Sequence, residues 1–573
     1  MTKRILNDWL SLNNKIPSEV DDYKKWLLYE DILSFFKKEK LNDEIIIYTS
    51  TSLPSSILLN SFFVPKPEVD SISDPLIQEI LARDFYPYEP WVVNYTIPNT
   101  ENTNIEDYNF SLEEDSRVCS DKSKSISKYE GILFRRSFEG KYSQKQYIEI
   151  SQKILHSQDL HYVHERKAFC KFDTLGEIVD HITVHYEDEK VIAVIAKREA
   201  LDQFMAITNT SLIRIFDISR TLTNFEVNER EPILIRDEEN KIFCDGAYTL
   251  TASYLRGFQI IDCKEPKESV LKNIISLNTD GYKEYVKFLA HDWKNKLVSE
   301  LSCDPQKLGN YFIKSEMPYE TSPAFFKKDV LLKYQNDPDK YTIDGRSINC
   351  RGAWHLKSYD INEEDQVHVY LIDLAQLPYQ EQLYWKAYNE KPKGTISKRA
   401  FINDFEGEIY HDYDPLHNLK SQLKAMYTEG LSWFYNKDIK LIDEIHFLTT
   451  SSKKEWKQSI TTLNILLVDN FNKQGLTKLA GASDIMVSKE YGSLKILREY
   501  LIKKEHEKDL VESIMCPLFE LNDLRSNISS HSQSRGEELL DNIIDNHGDL
   551  GKHFKHLIQS CDQSIKKLRE ILK

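Results

Sequence analysis

Apolar and polar positions recur along this chain with two periods, and the change from one to the other divides it. Between about residues 130 and 265 the period is two. His181-Ile-Thr-Val-His185, Val191-Ile-Ala-Val-Ile-Ala196 and Ser211-Leu-Ile-Arg-Ile-Phe216 predict strands. Asn240 and Asp245-Gly246 predict the turns between them. Beyond about residue 450 the period lengthens to three and four. Val511, Ile514, Met515, Leu518, Phe519, Leu521 and Leu524 mark an amphipathic helix with one buried face. Leu550, Phe554, Leu557, Ile558, Cys561, Ile565, Leu568 and Leu572 trace a long closing helix. Trp456 to Phe471, Ser493 to Leu501 and a segment opening at Arg535 show the same spacing, with Gly475, Gly481 and Gly492 as stops. The C-terminal quarter therefore reads as a bundle of about four or five helices.

The remaining stretches are less periodic. Residues 1–98 mix helical spacing, as from Tyr23 to Phe36, with the strand-like run Glu44-Ile-Ile-Ile-Tyr48. Residues 99–128 are polar and predict a linker or loop. Residues 129–265 form a strand-rich sensor or binding domain, 266–445 a mixed α/β region dense in aromatics, and 446–573 the helical bundle. At 573 residues the chain is too long for one core, and roughly 100–200 residues per domain suggests three or four domains. The fold class expected is α+β multidomain, with a mixed, strand-rich N-terminal part and an all-α C-terminal bundle.

Composition narrows the function. A net charge of −16 argues against a protein that coats nucleic acid, because nonspecific affinity comes from Lys and Arg on phosphates, so any RNA site must be local. No run of about 20 apolar residues and no apolar leader is present, which predicts a cytoplasmic chain with no membrane partner. The eight cysteines are scattered without a Cys-x-x-Cys pair and read as reduced, buried thiols. A phosphate-binding Gly-x-x-x-x-Gly-Lys loop, Gly-x-Ser-x-Gly and His-Glu-x-x-His are all missing from the sequence, and no cofactor is expected.

One short run carries chemistry. In Leu524-Arg-Ser-Asn-Ile-Ser-Ser-His531, Arg525 is followed six residues later by His531 at the end of a helical pattern. Cleaving RNA without a metal needs a base that works near neutral pH and a fixed cation beside the phosphate, and His and Arg meet those needs. Residues six apart on an unbroken helix lie about 120° apart. Ser526, Asn527, Ser529 and Ser530 predict the break that would bring the pair together.

The run resembles the Arg-polar-x(3–5)-His motif of HEPN domains, small helical bundles common in toxins and anti-phage abortive-infection proteins, with Ser526 in the polar position. The resemblance covers roughly the last quarter of the chain. It implies a metal-independent endoribonuclease that leaves a 2′,3′-cyclic phosphate, with Arg525, Ser526, Asn527 and His531 at its site. It further implies a tRNA or mRNA substrate, a homodimer, and activation by a phage-derived or protein trigger. The competing class is a non-catalytic binding or scaffold protein whose bundle only mediates dimerisation.

Three other groupings stand out. Tyr384 to Arg399 interleaves aromatics with cations, and Trp385, Lys386, Lys391, Lys393, Lys398 and Arg399 are the candidate RNA-contact residues. His156, His161, His164, Cys170, His181 and His185 lack the ordered spacing of a zinc site and read as ordinary histidines, so no metal is expected. His547, His553 and His556, near Asp541, Asp545 and Asp549, read as lining a wet helix face.

Overall fold

The computed structural model describes all residues except 1, 15, 18–19, 53–54, 82–90, 97–108, 115–128, 137–145, 222–229, 278–282, 411–412, 436–438, 449–451, 484–487, 489, 505–506, 530–532 and 573. The chain divides into two compact units, Met1–Asp173 with Ile178–Tyr282, and Thr174–Glu177 with Lys283–Lys573.

The first unit is built on an 11-stranded antiparallel sheet. Its strands run in the order Glu231–Asp237, Ile242–Tyr248, Ala252–Ile261, Thr210–Thr221, Ser55–Pro65, Glu44–Thr51, Lys190–Lys197, Ile178–Glu187, Ala168–Phe172 and His161–Val163, with Glu130–Gly131 joined to Ser55–Pro65. The stretches 1–98 and 129–265 thus share one sheet, and the strands from the first stretch lie at its centre. Glu44–Thr51 takes that place because it is apolar on both sides. Ile45, Ile47 and Tyr48 enter one core, while Ile46 enters another with Trp9, Phe36 and Phe216.

Two buried arginines of this sheet are paired with carboxylates. Arg214 donates to Glu39 Oε2 at 2.5 Å and to Gln259 Oε1 at 2.6 Å, and Glu39 Oε1 accepts from the Ile46 backbone at 2.6 Å. Arg220 is likewise held by both oxygens of Asp31 at 2.9 Å.

Two expectations for this unit need correction. Asp245-Gly246 is not a turn, since it lies inside the strand Ile242–Tyr248. Gly246 is needed there because a Cβ would run into the Tyr254 carbonyl. Within the polar stretch 99–128, Asn109–Glu114 pairs antiparallel with Trp91–Thr96, and the rest of that stretch lies outside the described residues. Asn240 does sit in the turn that joins Glu231–Asp237 to Ile242–Tyr248.

The second unit begins with a six-stranded sheet, ordered Leu297–Ser302, Lys287–Asp292, Pro323–Lys327, Gln366–Tyr370 and Asp360–Ile361, with Asn389–Glu390 paired to Pro323–Lys327. A three-stranded sheet, Tyr341–Asp344, Ser347–Cys350 and Trp354–Leu356, shares its aromatic core.

The remainder is helical, and it starts earlier than the expected boundary at 446. Helix α1 (Pro415–Glu429) contributes Leu419, Leu423 and Met426 to the same core as the closing helix. Past a short helix at Lys440–Glu444 it is followed by α2 (Lys453–Leu467), α3 (Lys473–Gly481), α4 (Ser493–Lys503), α5 (Lys508–Ser529), α6 (Gln533–His547) and α7 (Leu550–Ile571). Gly475 is not a stop. It lies within α3, where a Cβ would strike the Ser432 carbonyl. Among the described residues, no helix is long and apolar enough to cross a membrane.

Candidate functional site

Helix α5 carries the Arg525 run, and its apolar stripe explains its position. Val511, Ile514, Met515, Leu518, Leu521 and Leu524 are all buried in the bundle core, which turns the intervening polar residues outward. The expected break after Arg525 does not occur at Ser526 or Asn527. The helix continues to Ser529, and the Ser526 hydroxyl donates back to the Asn522 carbonyl at 2.9 Å, a bond compatible with helix. Ser530 and His531 lie outside the described residues. Arg525 is partly exposed and forms an ion pair with Asp469, 3.4 Å from Nη2 to Oδ2.

On another side of α5 the structure assembles a group that the sequence pattern only hinted at. Helices α6 and α7 form a hairpin, closed by Gly548 at φ 87° and by Asp549, whose carboxylate caps α7 by accepting from the Lys552 backbone at 2.7 Å. The tight turn sets His547 edge-on to His553, ring centroids 4.9 Å apart, and tilted against His556 at 5.4 Å.

His553 is not on a wet face, being 2% exposed. Its Nδ1 accepts from the indole nitrogen of Trp456 at 3.2 Å, and its Nε2 stands 3.7 Å from Glu520 Oε1 on α5. Because indole can only donate, Nδ1 must carry the lone pair, and the ring proton sits on Nε2, facing the carboxylate. Contact with His553 first, helped by the charges of His556 and His547, holds the Glu520 carboxyl below the usual carboxylate range against the opposing effect of burial. Burial, reinforced by the neighbouring imidazoles, pushes His547 down.

Glu520, Asn527, Asn542, Asn546, His547 and His553 line a pocket of about 410 Å³ at this junction, with Leu524, Leu539 and Ile543 as its apolar wall. Asn527 joins the Arg525 run to this pocket. The carboxylate, the carboxamides and the imidazoles provide acceptors, donors and proton carriers within one cleft.

The aromatic and basic stretch is organised differently from the expected RNA surface. Trp385 is 0% exposed, packs edge-on against Phe326, and donates to the Tyr334 hydroxyl at 2.7 Å, so no face is free for a base. Its cations have partners of their own. Lys386 pairs with Glu300 at 3.0 Å and Lys393 with Glu390 at 2.9 Å. Arg399 binds both oxygens of buried Asp360 at 2.6 and 2.9 Å, and Lys398 lies over the Tyr410 ring. Lys391 is exposed.

The N-terminal histidines are dispersed. His181 is buried on its strand, where desolvation pushes it down to about 4, while His161 is exposed beside Asp159. Among the described residues no three His, Cys, Asp or Glu side chains are arranged to hold a metal ion. Comparison with family models, curated proteins and solved structures returns no match for this chain.

Proposed function

We propose that the helical part of this protein is a HEPN-like, metal-independent endoribonuclease acting in anti-phage abortive infection or toxin defence, with the preceding regions sensing its trigger. The observation that carries this reading is the position of Asn527. The Arg525-Ser526-Asn527 segment occupies the last turns of α5, and Asn527 opens directly onto a cleft of acid-base side chains.

In the proposed reaction His531 takes the 2′-hydroxyl proton, and the 2′-oxygen attacks the adjacent phosphorus. The 5′-oxygen of the following nucleotide leaves and is protonated. Arg525 stabilises the charge that grows on the phosphoryl oxygens. The products are a 2′,3′-cyclic phosphate and a 5′-hydroxyl. The resemblance further implies a homodimer in which two motifs face one cleft, and a tRNA or mRNA substrate.

The Arg525–Asp469 ion pair is the observation favouring the alternative, a binding or scaffold protein in which Arg525 is structural. Incubating the full-length protein with RNA in EDTA separates the two. Cyclic-phosphate ends that disappear in His531→Ala support the nuclease. Equal cleavage by wild type and His531→Ala, or no cleavage by wild type, overturns it.

A further inference from the structure

The pocket between α5, α6 and α7 holds a carboxylate backed by a buried histidine. Trp456 sets the tautomer of His553, and the Nε2 proton of His553 faces Oε1 of Glu520. Both supporting side chains are buried, Trp456 fully, so the arrangement is built into the core. The Glu520 side chain itself remains 47% exposed, at the pocket wall.

We propose that this pocket binds a guanine base, with Glu520 accepting the two adjacent N–H donors of its Watson–Crick edge. The biological setting rests on the ribonuclease reading above. The chemistry of the pocket is argued from its own residues.

A carboxylate accepts two parallel donors side by side. Guanine offers such a pair in N1–H and the N2 amino group. Adenine and cytosine set an amino group beside an acceptor nitrogen, and uracil sets its single N–H between two carbonyls. The guanine O6 then needs a donor. Asn542 and Asn546, four apart on α6 and so on one face, line the same pocket with carboxamide N–H groups. Leu539 and Ile543 supply apolar wall for the flat ring, and about 410 Å³ lies within the roughly 300–1,000 Å³ of small-ligand sites. Glu520 and Glu538 together disfavour an anion, so the base enters here and the phosphate stays outside.

The test is titration of the full-length protein with the four ribonucleosides, which carry no phosphate, followed by calorimetry or ligand-observed NMR. Guanosine is expected to bind at least about tenfold more tightly than adenosine, cytidine or uridine, the scale of one good bidentate contact. Glu520→Gln should remove that preference. Asn542→Ala and Asn546→Ala, at exposed helix positions, should weaken guanosine severalfold with the melting temperature unchanged. Equal binding of all four nucleosides, guanosine binding that survives Glu520→Gln, or displacement of guanosine by free arginine at equal concentration overturns the assignment. Guanosine binding without RNA cleavage retains the pocket and rejects the nuclease. RNA cleavage without guanosine binding does the reverse.

Discussion

The indole nitrogen of Trp456 on α2 donates to Nδ1 of His553 on α7 at 3.2 Å, in the interior of the helical bundle. These residues are 97 apart in sequence, and their contact fixes which nitrogen of the histidine faces Glu520. Trp456→Phe keeps an aromatic ring but leaves a buried acceptor unpaired, at a cost of about 1–3 kcal/mol. It should lower the melting temperature and, by loosening Glu520, weaken guanosine binding. A lower melting temperature with unchanged guanosine affinity would reduce His553 to a core residue.

The Arg525–Asp469 contact gives a prediction for the nuclease reading. Asp469→Asn removes the carboxylate charge beside the guanidinium. If Arg525 serves the phosphate, cleavage should be retained or rise. Both groups are substantially exposed, so the loss of stability should be small, within about 1 kcal/mol. Arg525→Lys should recover little activity over Arg525→Ala, because an ammonium cannot reproduce the planar fork. Full activity in Arg525→Lys would show that a bare positive charge is enough.

Buried histidines predict how stability responds to acid. His181 and His368 are buried, and desolvation pushes each down to about 4. His368 Nε2 accepts from the Ser397 backbone at 3.0 Å, which requires the neutral ring. In the unfolded chain these rings take up a proton below about 6.5, while the folded chain resists until about 4. These two histidines should therefore contribute stability that is constant above about pH 6.5 and lost between about 6.5 and 4, by an order of 3 kcal/mol per histidine at most, opposed over much of that window by Asp373, whose carboxyl burial raises to about 7. Denaturant titrations at pH 7, 6, 5 and 4.5 measure this. The same pH dependence in wild type and His368→Gln would contradict the buried, neutral state of His368.

Trp385 offers a discriminating substitution in the sheet-bearing part of the second unit. Its ring is fully buried against Phe326 and Tyr334, so Trp385→Ala should cost about 3–5 kcal/mol through the cavity left behind. Exposed Lys391 tests the same stretch without that penalty. Lys391→Ala should leave stability within about 0.5 kcal/mol. Loss of RNA affinity in Lys391→Ala would revive this segment as a contact surface.

The helices and several strands were legible in the sequence because their periodicity is local. The spacing from Val511 to Leu524 and from Leu550 to Leu572 places one apolar stripe on a 3.6-residue turn wherever the helix packs, and α5 and α7 follow it. The runs at 181–185, 191–196 and 211–216 likewise became strands. The Arg525 run was correctly placed at the end of the long helix, which stops at Ser529; the break does not begin at Ser526, whose hydroxyl is satisfied within the helix.

What only the tertiary structure decided are relationships between residues distant along the chain. Strand order is one, because hydrogen-bonding edges carry no sequence label, and so Glu44–Thr51 lies beside Lys190–Lys197 rather than in a separate N-terminal domain. The extent of the bundle is another, because α1 joins it through Leu419 and Leu423 packed with residues of α7. The candidate site is the third. Of the three histidines expected on a wet face near the C-terminus, His556 is exposed but His553 is buried, since periodicity reports the angle around a helix and not which neighbour covers it. The tight turn at Gly548 and the packing of α2 put His553 between Trp456 and Glu520, and that burial turned a surface pattern into a built pocket.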